Sequence, residues 1–420
     1  MTANTKTISL AFGSVTLELE IPEKNLSSII LPSEPETEEQ EAFLIKKALK
    51  NPIKSKRLSE VVNPDSSIVI IVSDVTRPTP TAKLLPHLLE ELYLGGAKDE
   101  NITIVFALGL HRNQTEEESR KLVGKEIYEK IRCIQHDTCR CRRIGITSRG
   151  TPIEIFEDIL DADVIIGTGS IEFHYYAGYS GGAKSVLPGV SSKETVITNH
   201  KMMIDEKAVS GRIDGPVRQD MEEAAKILGL DFILNVVLDS KKEIVAAVAG
   251  DFIEAHRKGV EVVDSMYKVP VEPVDAVIVS CGGFPKDINL FQANKALDNA
   301  TQAVKEGGSI ILVAECAEGI GNQVYECWNR ECQSPDNAIE RFKKCFEFGG
   351  HKTAIIAKFS KKFRLYLVSK LSDEQTRTAF FTPMAKVEDA LSAVLFENPD
   401  AKIHLMPHGG QTLPVIKDNN

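Results

Sequence analysis

The chemistry-bearing side chains crowd into residues 174–200. This stretch opens His-Tyr-Tyr-Ala-Gly-Tyr-Ser-Gly-Gly-Ala-Lys-Ser-Val-Leu-Pro-Gly-Val and closes on Asn199-His200. Imidazoles exchange protons near neutrality and ligate metals. Gly178, Gly181 and Gly182 clear side chains from the loop, so backbone N–H groups can approach an anion closely. Lys184 beside them can serve as a phosphate contact or as a covalent anchor. Ser180 to Lys184 suggests a phosphate loop but lacks the Gly-x-x-x-x-Gly-Lys-Ser/Thr pattern, and no acidic magnesium-binding strand accompanies it, which disfavours an ATPase. A glycine-rich turn, a surface lysine and a half-buried helical histidine at position 200 would explain the stretch equally well if it stood alone.

Two further sets follow apolar runs. Residues 67–72 lead into Asp74-Val75-Thr76-Arg77-Pro78-Thr79-Pro80, and residues 102–108 lead into Gly109-Leu110-His111-Arg112. The planar fork of an arginine binds a carboxylate or phosphate through two hydrogen bonds; a structural Asp74–Arg77 pair is the alternative. Pro78 and Pro80 stiffen the exit of their loop. His111 and His174 stand at equivalent strand ends, where two histidines can act as acid and base on opposite faces of a substrate. Gln292 and Lys295 share one face at the start of a helix after Gly282-Gly283. His87, His136 and His256 are assigned no role.

Placing these groups requires strands that end together. Strand and helix signals alternate with short loops: helices over 41–50, 82–94 and 115–130, strands near 133 and 144, a helix over 156–160, and a buried strand over 162–167. This pattern predicts an α/β fold with mostly parallel sheets, whose ligands bind beyond the carboxyl ends of the strands. An alternating hairpin opens the chain, with Ile8, Leu10 and Phe12 set against Val15, Leu17, Leu19 and Ile21. Residues 32–41 read as an acidic loop, and the helix over 41–50 is expected to bury Phe43, Leu44 and Ala48. Pro270 and Pro273 interrupt regular structure, because proline lacks the donor that helices and inner strands need. The expected domains are therefore 1–268, carrying the cofactor site, and 269–420, a smaller α/β domain closing over an active-site cleft between the two. Within the second, strands are predicted over 276–280, 309–313, 354–357, 364–368 and 402–406, with a helix over 387–395. The glycine-rich tail from 407 to 411 is expected to stay irregular and fold back on the cleft.

Composition bounds the possibilities. At 420 residues with 42% hydrophobic and 26% charged residues, the chain is an ordinary globular protein with room for two or three domains. A net charge of −10 argues against nucleic-acid partners, which require a basic surface. Neither a signal peptide nor a membrane span is legible. Eight scattered cysteines without a Cys-x-x-Cys pair read as reduced thiols of a cytoplasmic protein, not as zinc ligands.

Together, Asp-Val-Thr-Arg-Pro-Thr-Pro, Gly-Leu-His-Arg, the block from His174 to Val190, His200, and Gly-Gly-Phe-Pro-Lys-Asp with Gln292 and Lys295 resemble the nickel-dependent lactate racemase family over nearly the whole chain, in order. The central block is the specific part; Asp-x-Thr-Arg and the lone histidines are not. The resemblance implies a nickel-pincer nucleotide, a pyridinium-3,5-bisthiocarboxylate mononucleotide with nickel held by S, C and S. It makes Lys184 the residue that can carry this cofactor covalently and His200 the remaining nickel ligand, and soft sulfur donors with one imidazole in a square plane suit nickel. It makes His111 and His174 the acid/base pair. Arg77 and Lys295 become cations near substrate, and with Asp74, Thr76, Ser180, Gly181, Gly182 and Gln292 they form the cofactor neighbourhood. The implied reaction inverts C2 of a 2-hydroxy acid. One histidine takes the hydroxyl proton, the C2 hydride passes to the cofactor and returns to the other face of a planar 2-keto acid, and the second histidine returns a proton. Cofactor-biosynthesis proteins are the macromolecular partners such chemistry brings.

One departure bears on substrate. Lactate-specific members place a tryptophan beside the substrate late in the second domain, whereas the single tryptophan here is Trp328. The later segment reads Phe346-Glu347-Phe348-Gly349-Gly350-His351-Lys352. Its glycines are expected to leave more room, and His351 or Lys352 to meet a second polar group, so a 2-hydroxy acid other than lactate is expected. A phosphate- or nucleotide-binding transferase and a noncatalytic metabolite-binding relative are the competing readings.

Overall fold

The computed structural model describes residues 4–33 and 39–417. They form two compact units, one from the described residues of 34–266 and one joining 4–33 to those from 267 onward. A division at 268 that keeps the whole of 1–268 in one domain therefore misplaces the opening hairpin. Its strands Thr5–Phe12 and Val15–Pro22 bury Ile8, Leu10, Leu19 and Ile21 against Ala276, Ile278, Ile311 and Val313 of the C-terminal sheet. Of the acidic loop expected over 32–41, residues 34–38 lie outside the described residues, and Glu41 already begins helix Glu41–Lys50.

The unit within 34–266 is built on a sheet of six strands, in the order Ile244–Gly250, Phe232–Leu238, Val164–Ser170, Ile68–Ser73, Ile102–Ala107 and Arg132–Gln135. Only the outermost pair, Phe232–Leu238 with Ile244–Gly250, is antiparallel. The chain lays down Ile68–Ser73 first, builds outward to Arg132–Gln135, then returns to set Val164–Ser170 on the other flank of the first strand. Strand order thus reverses between Ile68–Ser73 and Val164–Ser170, the position where open α/β sheets form a ligand crevice. Asp74 directly follows one of these strands and His174 shortly follows the other.

Both faces of this sheet are covered, which is why its strands read as apolar runs without alternation. Ile68, Ile70, Val72, Ile102, Ile104 and Phe106 pack beneath helices Glu41–Lys50 and Thr81–Leu94. Helix Glu41–Lys50 turns Leu44, Ile45 and Leu49 inward and leaves Phe43 exposed, so its apolar face differs from the expected Phe43/Leu44/Ala48. On the opposite side lies the glycine-rich loop. A β-carbon on Gly167 would come within 2.6 Å of the Ser185 hydroxyl, so this strand glycine lets the loop rest on the sheet.

The second unit has a six-stranded parallel sheet in the order Thr382–Met384, Arg364–Val368, Val304–Val313, Val274–Ser280, Ile403–Met406 and Leu26–Ile29. Alternate residues serve opposite faces. Val277, Val279, Ile310 and Leu312 meet helices Leu290–Ala300 and Gly350–Ser360, while their neighbours meet the hairpin and helix Val387–Glu397. No helix of the described residues is long and apolar enough to cross a membrane.

Several expected elements change type. The apolar run at 354–357 lies inside helix Gly350–Ser360, because a short buried run carries no period that separates helix from strand. Residues around 156–160 form the end of strand Pro152–Phe156 and a 3-10 turn, Glu157–Ile159, in place of a helix. Pro270 sits within strand Lys268–Val271, paired with Leu413–Ile416 in a two-stranded sheet whose outer edges tolerate a missing donor. The tail thereby regains regular structure just beyond its glycines.

Trp328 is fully buried; its ring nitrogen donates to Glu347 Oε2 at 2.6 Å, and the Arg341 guanidinium lies 4.3 Å from the ring centre. Gly350 lies against this ring so closely that a β-carbon would meet Trp328 Cε2 at 2.3 Å. Gly350→Ala is expected to destabilise the protein by about 1–3 kcal/mol through overpacking. Urea unfolding followed by the fluorescence of this single tryptophan tests this, and an unchanged midpoint contradicts it.

Candidate active site

At the end of strand Ile68–Ser73, Asp74 is only 3% exposed, yet its carboxylate is fully engaged. Oδ1 accepts the Thr76 backbone N–H at 2.8 Å and the Thr76 hydroxyl at 2.5 Å, and Oδ2 lies 2.5 Å from His111 Nδ1. Burial pushes the Asp74 carboxyl up, but the hydrogen bonds from His111 and Thr76, with the charges of His111 and Arg77, outweigh it and hold the group below the ordinary carboxylate value. An ionised carboxylate only accepts, so Nδ1 of His111 carries the hydrogen and Nε2 presents a lone pair. The loop bearing His111 is pinned where Gly109 N–H donates to Gly189 O at 3.0 Å, with Gly109 at φ +54°. Arg112 is drawn away into an ion pair with Glu118 at 2.6 Å. Arg77 is exposed and forms no salt bridge among the described residues, so the structural Asp74–Arg77 side-chain pair does not occur.

The second group gathers on Tyr176. The His174 ring meets it edge-on at 4.5 Å, the His200 ring lies 5.0 Å away, and Lys184 Nζ stands 5.9 Å from its centre. His174 belongs to a two-residue strand, Phe173–His174, paired with Gly178–Tyr179, and its Nδ1 accepts the Ala177 N–H at 3.4 Å. Burial, then the charges of Lys184, Arg77, His200 and Arg218, drive its pKa well below the ordinary value. The field of Arg77 on both His174 and Tyr176 ties the first group to the second. His200 ends helix Lys193–His200; burial and then Lys184 bring its pKa down to about 3, so it stays neutral and can ligate a metal.

The loop between these rings is held by side chains reaching its backbone. Arg218, fully buried on helix Pro216–Leu228, donates to the carbonyls of Ala177, Tyr179 and Gly181. Asn235 Oδ1 accepts the Gly182 N–H at 2.7 Å, and His256 Nε2 lies 2.8 Å from Ser180 O. The Ser180 hydroxyl donates to Ser170 O at 2.8 Å and accepts from Glu172 N at 2.9 Å. The Gly182 amide and the Ser180 hydroxyl are thus turned inward to the loop's own neighbours, which weakens an anion-cradle reading. Gly181 and Gly182 adopt φ +71° and +58°, where any side chain is strained.

Gln292 and Lys295 lie in the other unit on helix Leu290–Ala300, capped by Asn289, whose Oδ1 accepts the Gln292 N–H at 3.0 Å. Lys295 is exposed, and its charge reaches the buried Lys352. The glycines at 349 and 350 do not open space. They admit close approach to Asn322 and Trp328, and His351 is packed among Phe291, Phe346 and Phe348.

Tyr176, Arg218, Asn235 and His256 are missed by the sequence reading. Arg218 had a signal, since it shares the inward face of its helix with Met221 and Ala225. No cluster of three or more His, Cys, Asp or Glu suited to a metal occurs among the described residues. One buried, neutral imidazole beside a lysine fits a metal whose other donors arrive with an organic cofactor.

The chain resembles known proteins over nearly its whole length. Residues 12–211 match the lactate racemase N-terminal domain and residues 269–413 the lactate racemase C-terminal domain. The lactate racemase of Thermoanaerobacterium thermosaccharolyticum is 34% identical over 96% of this chain and 97% of its own length. That of Lactiplantibacillus plantarum is 33% identical over 96% and 98%. The structure of the T. thermosaccharolyticum lactate racemase apoprotein superposes with a TM-score of 0.89, at 32% identity over 97% of this chain and all of that one. The chain is an isomerase of the racemase type. It belongs to the lactate racemase family.

The histidine that orders the loop gives the site a pH signature. His256 is held well below its ordinary value of 6.5 by burial and then by Arg218 and Arg257, with the Ser180 carbonyl opposing them. Below about 6.5 the unfolded chain binds a proton that the native imidazole refuses, so this group's contribution to stability is present at higher pH and lost as pH falls. Its loss amounts to up to about 1.4 kcal/mol per pH unit. Denaturant unfolding at pH 7.5 and 5.5 should show a smaller pH dependence in His256→Gln, which keeps a donor for Ser180 but does not titrate; identical slopes would refute the assignment.

Proposed function

We propose that the protein racemises or epimerises a 2-hydroxy acid, lactate or a larger one, with a nickel-pincer nucleotide. The observation that carries this reading is the convergence of His174, Lys184 and His200 on Tyr176, in the unit where Asp74 orients His111 beside the reversal of strand order. His200 is the nickel ligand and Lys184 the residue that holds the nucleotide, covalently in the full form of this reading. Gly181, Gly182 and Ser180 shape the backbone around it, and Gln292 and Lys295 are retained as cofactor and substrate contacts. When bound, the cofactor supplies the group that takes and returns the C2 hydride.

The chain's own residues bind the acid and move its proton. Arg77 holds the substrate carboxylate through its planar fork. His111 takes the hydroxyl proton at Nε2 while Asp74 stabilises the resulting imidazolium. An anion among Arg77 and Lys184 counters the charges that keep His174 neutral, so His174 gains proton affinity as substrate binds. It can then return a proton from the opposite side. The larger acid rests on the segment from Phe346 to Lys352, which carries no tryptophan.

Two measurements test the reading. Cofactor-loaded enzyme assayed with single enantiomers of 2-hydroxy acids should lose at least about 100-fold in kcat with His111→Ala or His174→Ala. Retained activity in both sinks the acid/base assignment, and lactate giving the highest kcat/KM sinks the larger-acid assignment. Intact mass spectrometry of the loaded protein should show an adduct that vanishes in Lys184→Ala; a nickel-containing protein without an adduct refutes the covalent link alone.

A further inference from the structure

His200 has two ring nitrogens, and the one that carries hydrogen is withdrawn from ligation. Its Nδ1 lies 3.0 Å from Asn199 Oδ1. The neighbouring amide can face only one way. Asn199 is fully buried, and its Nδ2 donates to Val217 O at 3.2 Å and to Asp220 Oδ2 at 2.9 Å. Both partners only accept, so turning the amide over would set oxygen against oxygen.

Asp220 is itself fully buried. It accepts the Thr147 hydroxyl at 2.6 Å, the Thr151 hydroxyl at 2.8 Å and the Asn199 amide, all neutral donors. Burying a carboxylate with neutral donors alone is costly. An amide at this position could present either an oxygen or an N–H group to Asn199, whereas a carboxylate presents oxygen only. A purely structural clasp between the turn at 147–151 and helix Pro216–Leu228 has no need of that distinction.

We propose that Asp220 and Asn199 are positioning residues that lock His200 in the tautomer with hydrogen on Nδ1, so that Nε2 is the electron-pair donor. The consequence for nickel rests on the reading of His200 as a metal ligand, whereas the tautomer lock itself does not. The carboxylate fixes the amide, the amide fixes the proton, and the proton fixes the ligating atom. Outer partners of a ligating histidine commonly set its orientation and basicity in this manner.

The test uses the full-length chain labelled with [15N]histidine, with His200 assigned by comparison with His200→Gln. In the cofactor-free protein, the nitrogen shifts and long-range couplings should show Nδ1 protonated and Nε2 unprotonated. Asn199→Ala should populate both tautomers. Asp220→Asn should do so partially, while preserving the packing if the alanine variant fails to fold. In loaded protein, release of nickel to a chelator should quicken by about 10- to 100-fold in Asn199→Ala. Hydrogen on Nε2 in the wild type, or the wild-type tautomer retained in both variants, overturns the proposal. Altered tautomers with unchanged nickel release support the lock but remove its role at the metal. If loading with cofactor leaves the wild-type His200 shifts unmoved, the ligand assignment fails and the lock stands.

Discussion

A guanidinium sealed from water gathers three carbonyls of one loop, and the N-terminal unit's site depends on it. The loop that rests on Gly167 through Ser185 buries backbone groups that the short pair Phe173–His174 with Gly178–Tyr179 leaves unpaired. Arg218 supplies the donors, while Asn235 and His256 complete the accounting from two other elements. Only with the loop so fixed does Tyr176 become a common floor for His174, Lys184 and His200. The same guanidinium adds, after burial and the fields of Lys184, Arg77 and His200, to the lowered proton affinity of His174.

The two imidazoles assigned to proton transfer are prepared in different ways. His111 stands against an ionised, fully hydrogen-bonded carboxylate, whereas His174 stands among cations. Burial, with those cations, holds the second imidazole neutral. An acidic chain thereby keeps a locally positive crevice, because net charge says little about the field where strand-end loops converge.

Much of this was legible in the residues. Strand-end loops at Asp74, at His111 and beyond Ser170 could be read from apolar runs followed by polar clusters, and the sheet places them on one edge. What escaped was contact that sequence spacing does not encode. Arg218 reaches across from a helix far along the chain, and Tyr176 sits unmarked between more conspicuous neighbours. The run at 354–357 read as a strand because four apolar residues have no measurable period, and the glycines at 349 and 350 read as space when a β-carbon at either would collide with Asn322 or Trp328. The hairpin was recognised as a hairpin but given to the wrong unit, since alternation shows that a face is buried without showing what covers it.

That hairpin has a consequence for synthesis. Its apolar face leaves the ribosome well before the strands that cover it, which lie beyond Tyr267, after the other unit. At about 5–20 residues per second, Ile8, Leu10, Leu19 and Ile21 wait roughly ten to fifty seconds for their partners. An isolated two-stranded ribbon is marginal in water over such an interval. The intervening unit can complete its own core meanwhile, so a ribbon made before that unit finds its place after it.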